Sequence, residues 1–214
     1  MNTQRRYANQ WVKFGASCGI IANLLFPVLI FVPLPDYLML FFTAMFGITY
    51  ALLGFGIHHF LKESKPTIYT QVAAIFILIS GFLFNVMLMI QLTFKGYIES
   101  FEEQASPSDL ELLNWISKTV NPIHLGLQFS NDFFTACAMV LLSLVMFRHP
   151  HFGKIWSAMG YTIATALIII KCYSFPFTPG EVGIPYLLGP FISLWFFAIC
   201  IQCLRKRNQV FELS

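Results

Sequence analysis

Residues 123–147 read IHLGLQFSNDFFTACAMVLLSLVMF, and this stretch combines the two features that decide the fold. It is long and apolar enough to cross a bilayer, which takes about 20 residues of helix. It also carries His124, Gln128 and Asp132 at steps of four residues, so the three polar side chains share one helix face. A spanning helix with one polar face predicts a bundle in which that face points inward.

The rest of the chain has the composition of a membrane protein. Of its 214 residues, 57% are hydrophobic and only 11% are charged, against roughly 25% charged residues in soluble domains. Mean hydropathy is +0.69. Backbone N–H and C=O groups in a bilayer must form their hydrogen bonds within the protein, so an apolar run long enough to cross a bilayer is expected to be helical. We predict an all-α, polytopic integral membrane protein, residues 1–214 forming one membrane domain with six transmembrane helices at about 14–32, 38–61, 68–94, 123–147, 155–173 and 187–204.

Loop charges predict the orientation, because Lys and Arg concentrate in cytoplasmic loops near the ends of spans. One side carries ten of the 13 basic residues: Arg5, Arg6, Lys13, Lys62, Lys65, Arg148, Lys154, Arg205, Lys206 and Arg207. The loops of the other side carry Lys95 and Lys118 against Asp36, Glu99, Glu102, Glu103, Asp109, Glu111 and Glu181. Both termini are therefore predicted inside. These ten basic residues on one side indicate anionic membrane lipids as partners, and they do not indicate a nucleic acid.

The long outer connection at 101–122, FEEQASPSDLELLNWISKTVNP, predicts a short amphipathic helix on the outer surface. Ser108 and Glu111 have the spacing of a capping box. Apolar residues then recur at helical spacing: Leu110, Leu113, Ile116 and Val120. Trp115 is expected at headgroup level. The alternative is an irregular acidic loop.

Polar residues inside the spans predict a binding site, because they are costly in hydrocarbon and face the bundle interior. They lie from mid-membrane outward: Asn23, Asn85, Gln91, His124, Gln128, Asn131, Asp132 and Lys171. We predict that they line an outward-facing pocket between helices one, three, four and five. The inner half is expected to be dry and packed.

Lys171 ends the apolar run of the fifth helix, in ALIIIKCYSFPFTPGE at 166–181. Helices four and five are joined by a short inner turn, RHPHFGK at 148–154, and must be antiparallel neighbours. Asp132 and Lys171 then lie roughly 22 Å and 24 Å from that turn at about 1.5 Å per residue. Their matching heights predict an ion pair, with snorkelling of the lysine to the outer surface as the alternative.

The sequence contains no Walker loop, HExxH, GxSxG or dinucleotide glycine motif, and it predicts neither a metal nor a cofactor. We expect a protein that binds a small amphiphile or lipid, or an accessory or sensing subunit of a larger membrane partner. A small secondary transporter and a lipid-modifying enzyme are the alternatives. For the enzyme, His124 and Asp132 are two helical turns apart, about 12 Å, which is too far for a dyad.

The turn RHPHFGK, the helix after it and the loop YSFPFTPGEVGIPYLLGPFISLW at 173–195 resemble a group of small uncharacterised multi-spanning bacterial inner-membrane proteins. The resemblance covers helices four to six. It implies a bacterial cytoplasmic-membrane protein with no assigned activity. It also implies an asparagine where this chain has Lys171, so the predicted ion pair is not a shared feature of that group.

Overall fold

Six helices make up the described chain, and no strand occurs in it. The computed structural model describes residues 3–64, 67–102, 105–184 and 188–211. The helices are α1 Thr3–Phe31, α2 Asp36–Ser64, α3 Ile68–Glu102, α4 Pro107–Met146, α5 Gly153–Ser174 and α6 Leu188–Phe211. All six are long and apolar enough to cross a membrane. The prediction of an all-α chain with six helices of spanning length is confirmed.

The helices form a bundle in which chain neighbours from α1 to α5 pack side by side. The last helix, α6, packs against α1 and α2 and also reaches α5. On the α5 side, the fully buried ring of Trp195 donates its indole N–H to the carbonyl oxygen of Trp156 at 3.2 Å. α6 therefore contacts both ends of the α1–α5 series.

Close contact between α1 and α2 lies in the half of the bundle that contains the amino-terminal end of α1 and the turn at 148–154. We call this half the inner half and the opposite half the outer half, after the predicted orientation. A Cβ added to Gly15 would lie 2.5 Å from the backbone nitrogen of Gly56 and 2.7 Å from its Cα. Small residues of this kind let two membrane helices meet backbone to backbone. Around this contact the inner half is filled by fully buried side chains: Val12, Ile57, Phe60, Leu61, Met146 and Cys203.

The helices α3 and α4 are longer than the sequence predicts. They contain 35 and 40 residues, so they are about 52 Å and 60 Å long, against roughly 30 Å of hydrocarbon. The apolar runs mark the part of a helix that lipid would cover, whereas backbone hydrogen bonding continues beyond it. The ends of the two helices that meet near residues 102–107 would therefore project from a bilayer.

The residues predicted to form a separate surface helix are the first turns of α4, which runs without a break through Pro122. The N-cap of this helix is Ser106, two residues before the predicted Ser108. Ser106 is the N-cap, its side chain accepts from the backbone N–H of Asp109, and its own N–H donates to the Asp109 carboxylate. The pair Ser108 and Glu111 has the same three-residue spacing, so spacing alone could not choose between them.

The sequence of α5 places Ser157, Tyr161, Ala164, Ile168 and Lys171 at alternating steps of four and three residues, the spacing of a helix-packing face, and the buried face of α5 agrees with it in part. Ser157, Ala164 and Lys171 are buried, together with Gly160, Leu167 and Ser174. Tyr161 and Ile168, which share the expected spacing, are only half-buried. The buried face is thus rotated slightly toward the smaller side chains, which allow α5 to approach its neighbours.

Candidate functional site

A small cavity of about 70 Å³ lies among α1, α2, α3, α4 and α6. One part of its wall is polar: Asn23, Tyr50, Asn131, Asp132, Thr135 and Ser193. The other part is apolar or bare: Phe26, Phe46, Phe84, Gly189 and Ile192. Asn23 lies about two turns before the end of α1, and Ser193 little more than one turn after the start of α6. We call this space the central cavity.

An ion pair joins α4 to α5 beside the central cavity. The ammonium nitrogen of Lys171 lies 2.7 Å from Oδ2 of Asp132, and the two side chains are 9% and 10% exposed. The predicted ion pair is confirmed, and the snorkelling alternative is wrong because the lysine is buried. The two opposite charges cancel, so the ion pair contributes a carboxylate to the cavity wall but no net charge.

Hydrogen bonds extend from the ion pair to α3. The side-chain amide of Asn131 donates to Oδ1 of Asp132 at 3.1 Å. The Ser80 hydroxyl donates to the Asn131 carbonyl oxygen at 2.6 Å and lies 2.7 Å from the Thr135 hydroxyl. Because Ser80 has a single hydroxyl hydrogen, Thr135 is the donor in that second bond. The Tyr50 hydroxyl of α2 lies close to both Ser80 and Thr135.

On the opposite wall, α1 and α6 are joined through Asn23 and Ser193. The Ser193 hydroxyl donates to the Asn23 side-chain carbonyl oxygen at 2.8 Å. The amide of Asn23 donates to the carbonyl oxygen of Gly19 on its own helix at 2.7 Å. These two bonds fix the direction in which the Asn23 amide points. The cavity thus has hydrogen-bonding groups on two facing walls.

Aromatic rings line the cavity beside the two polar walls. The ring centroids of Phe46 and Phe84 are 4.9 Å apart, and those of Phe26 and Phe46 are 6.1 Å apart. A cavity with two polar walls and an aromatic side suits a molecule with a hydrogen-bonding end and an apolar body. Because the carboxylate is already neutralised, a neutral polar end suits it better than an ion.

The structure separates the eight predicted site residues. Asn23, Asn131 and Asp132 line the central cavity, and Lys171 lies beside it in an ion pair with Asp132. Gln91 and His124 line a second cleft, between the outer ends of α3 and α4. α2 and α6 contribute to the central wall, although the sequence predicts helices one, three, four and five.

Asn85 and Gln128 line neither of these two spaces. Asn85 lies against Gly47 of α2, and its side-chain oxygen is buried without a hydrogen-bond partner in the described part of the chain. Gln128 is half-buried one turn before Asp132. His124 and Asp132, the pair considered as acid and base, face different spaces.

Four hydroxyl-bearing residues of the site are not among the eight predicted site residues: Tyr50, Ser80, Thr135 and Ser193. Single hydroxyls in apolar helices commonly bond to a carbonyl of their own helix, as Ser130 does with Gly126 at 3.0 Å. The sequence does not distinguish such a residue from one that bonds between helices. One of the four could have been recognised from the sequence: Thr135 lies one turn after Asn131, on the polar face of α4.

The inner turn between α4 and α5 buries one histidine. His149 is 3% exposed and lies against Phe60 of α2, with ring centroids 5.6 Å apart. Desolvation by burial, aided by the nearby His151, lowers the pKa of His149 to about 4. In the described part of the chain, no group of three or more His, Cys, Asp or Glu residues is placed to hold a metal ion.

Comparison of the chain with family models, curated proteins and solved structures finds no match. The resemblance of the carboxyl-terminal half to bacterial inner-membrane proteins therefore stays a prediction.

Proposed function

We propose that this protein is a multi-pass protein of a bacterial cytoplasmic membrane that binds a small neutral amphiphile in the central cavity, without catalysing a reaction on it. The observation that carries the proposal is the cavity wall. Hydrogen-bonding groups of α1, α4 and α6 face one another there, beside a carboxylate that Lys171 neutralises and a row of phenylalanine rings.

The size of the cavity limits the ligand. An engineered cavity of about 150 Å³ holds benzene. The central cavity, at about 70 Å³, is roughly half as large. It therefore accommodates the polar end of an amphiphile, such as a hydroxyl or amide group, while the apolar remainder lies along Phe26 and Phe84. Access would be from the outer side, past Gly189 and Ile192 at the start of α6.

The proposed topology places both termini in the cytoplasm. Its support is the one-sided distribution of Lys and Arg described above, together with an even number of helices of spanning length. The first turns of α4 then lie at the outer surface, where Trp115, which is 64% exposed, reaches the lipid headgroups. A fluorescent-protein fusion to the carboxyl terminus tests this orientation, because it folds only in the cytoplasm.

The ligand proposal is tested by purifying the full-length protein from native membranes in mild detergent and identifying the retained molecules by mass spectrometry. Ser193→Leu places a larger apolar group in the cavity and removes the bond to Asn23. Ser100→Leu makes the same change at an exposed site and serves as the matched control. We expect a neutral amphiphile with the wild type and the control, and its loss from Ser193→Leu, whose folding is checked by thermal denaturation.

Equal retention in all three proteins would reject the cavity as the binding site. The same preparations separate the alternatives. Uptake of the identified molecule into proteoliposomes, abolished by Asp132→Asn, would show transport in place of simple binding. Chemical conversion of the molecule by purified protein would show an enzyme. Co-purification of a larger membrane protein in constant ratio would show an accessory subunit.

A further inference from the structure

A second and larger cavity lies outside the proposed ligand site. It is a cleft of about 630 Å³ between the outer ends of α3 and α4, against about 70 Å³ for the central cavity. Its polar lining consists of Gln91, Lys95, Ser117, Lys118, Asn121 and His124. Volumes of about 300–1,000 Å³ are typical of ligand sites. We call this space the outer cleft.

The outer cleft is basic although the loops around it are acidic. Lys95 of α3 and Lys118 of α4 both line it, and none of the described residues in its lining is acidic. Lys95 is 3.6 Å from Glu99, but the two side chains are 70% and 57% exposed, so this pair is weak. Two ammonium groups from different helices therefore face one space without a strong counter-ion among the described residues.

A buried ring nitrogen of His124 in the cleft has no hydrogen-bond partner among the described residues. Nε2 of His124 is buried and makes no hydrogen bond to any described residue. An unpaired buried polar atom costs roughly 1–3 kcal/mol, which a ligand oxygen could recover. The exposed side chain of Asn121 lies one turn before His124 on the same helix and offers further N–H groups.

The cleft lies at the level of lipid headgroups. Lys95 is roughly 40 Å along α3 from Ile68, and Lys118 is roughly 42 Å along α4 from Met146, so both lie beyond a hydrocarbon core of about 30 Å. The lining also includes apolar side chains: Ile90, Leu92, Phe94 and Val120. An apolar lining beside two ammonium groups matches the arrangement of an acyl chain and a charged headgroup.

We propose that the outer cleft binds a phosphate group, carried by an anionic phospholipid, between Lys95 and Lys118. The His124 ring and the Asn121 amide donate hydrogen bonds to the phosphate oxygens, and the first acyl carbons lie along Ile90 and Phe94. Free inorganic phosphate has the same recognised chemistry and is the second source to be tested. The proposal does not depend on what the central cavity binds.

The experiment uses full-length protein in detergent and phosphatidylglycerol with brominated acyl chains, which quench tryptophan fluorescence on contact. Trp115 lies one turn before Lys118 on α4 and reports occupancy of the cleft, and Trp115→Phe defines its share of the signal. We expect saturable quenching by phosphatidylglycerol, and weaker binding of brominated phosphatidylcholine, whose trimethylammonium group the two lysines repel.

Two double variants test the assignment to these lysines. In Lys95→Gln with Lys118→Gln, the apparent affinity should fall about 30-fold, because each lysine near a charged headgroup contributes roughly fivefold. Lys13→Gln with Lys154→Gln removes the same charge from exposed positions elsewhere and should leave the affinity unchanged. The variant His124→Phe should bind about tenfold more weakly, because a hydrogen bond to a charged group is lost.

Competition by inorganic phosphate distinguishes the two sources. Release of phosphatidylglycerol by millimolar phosphate would assign the cleft to the phosphate group in either form, and no release would assign it to the lipid. The proposal is overturned if the Lys95 and Lys118 double variant binds like the wild type, or if phosphatidylcholine binds as tightly as phosphatidylglycerol.

Discussion

The inner and outer halves of the bundle are held together by different interactions. In the inner half, α1 and α2 meet backbone to backbone at Gly15 and Gly56, among fully buried apolar side chains. In the outer half, hydroxyls, amides and the pair of Asp132 and Lys171 surround a cavity. The inner half should therefore be sensitive to the size of a side chain, and the outer half to the loss of a polar partner.

The largest effect is expected in the outer half, from Lys171→Met. The change leaves the Asp132 carboxylate buried without its counter-ion, which should lower the free energy of unfolding by about 3–5 kcal/mol. Thermal and denaturant unfolding in detergent measure the loss. Lys95→Met is the matched control, because its partner Glu99 is exposed and the pair should contribute at most about 1 kcal/mol.

A second variant separates lost packing from an unpaired charge. When Asp132→Leu is added to Lys171→Met, no buried charge remains, and most of the stability should return. If the double variant is no more stable than the single one, the ion pair is not the reason for the loss.

A smaller effect is expected at the inner turn and depends on pH. Since the folded state lowers the pKa of His149 from 6.5 to about 4, the unfolded state binds more protons between these values. The contribution of His149 to stability is therefore fully present above pH 6.5 and should fall by about 3 kcal/mol as the pH drops toward 4. Unfolding measured from pH 7.5 to pH 4 in about five steps tests the prediction.

The variant His149→Gln should make the fall in stability smaller by about this amount, because one of the groups that take up a proton on unfolding is gone. His151→Gln should change it less, since His151 is more exposed than His149. Identical pH profiles for the wild type and His149→Gln would contradict the assignment.

Next in size is the effect of adding one methyl group at the contact of α1 and α2. In Gly15→Ala the new Cβ would lie 2.9 Å from the carbonyl oxygen of Leu52 as well as against the Gly56 backbone. Overpacking of this kind should cost about 1–3 kcal/mol. Gly126→Ala on α4, where no atom lies within 4 Å of the new Cβ, is the matched control and should be neutral or slightly stabilising.

The smallest effect is expected from Ser80→Ala, which removes two bonds between α3 and α4: the one that Ser80 donates to Asn131 and the one that it accepts from Thr135. Each hydrogen bond contributes roughly 0.5–1.5 kcal/mol, so the loss should be about 1–2 kcal/mol. Ser100→Ala, where the hydroxyl donates to the carbonyl oxygen of Tyr97 on an exposed turn of the same helix, is the control and should change little. Equal effects of the two variants would show that the network around the cavity does not hold α3 to α4.

Much of the architecture was predictable, because helix formation in hydrocarbon follows from composition alone. The ion pair was predictable for a related reason: the short turn at 148–154 forces α4 and α5 to be antiparallel neighbours, so heights can be counted from it. The ends of α3 and α4 were not predictable from hydropathy. An apolar run shows where lipid would cover a helix, whereas the end of the helix depends on a cap, here at Ser106.

The sequence by itself determined six helices of spanning length, a polar face on α4 and the matching heights of Asp132 and Lys171. Only the tertiary structure decided which polar residues share a cavity, because that depends on how each helix is rotated and on the return of α6 to α1. Asn23 and Ser193 are 170 positions apart in the chain and are joined by a bond of 2.8 Å. Hydropathy records burial along one helix, whereas contact between two helices depends on the packing of every side chain between them.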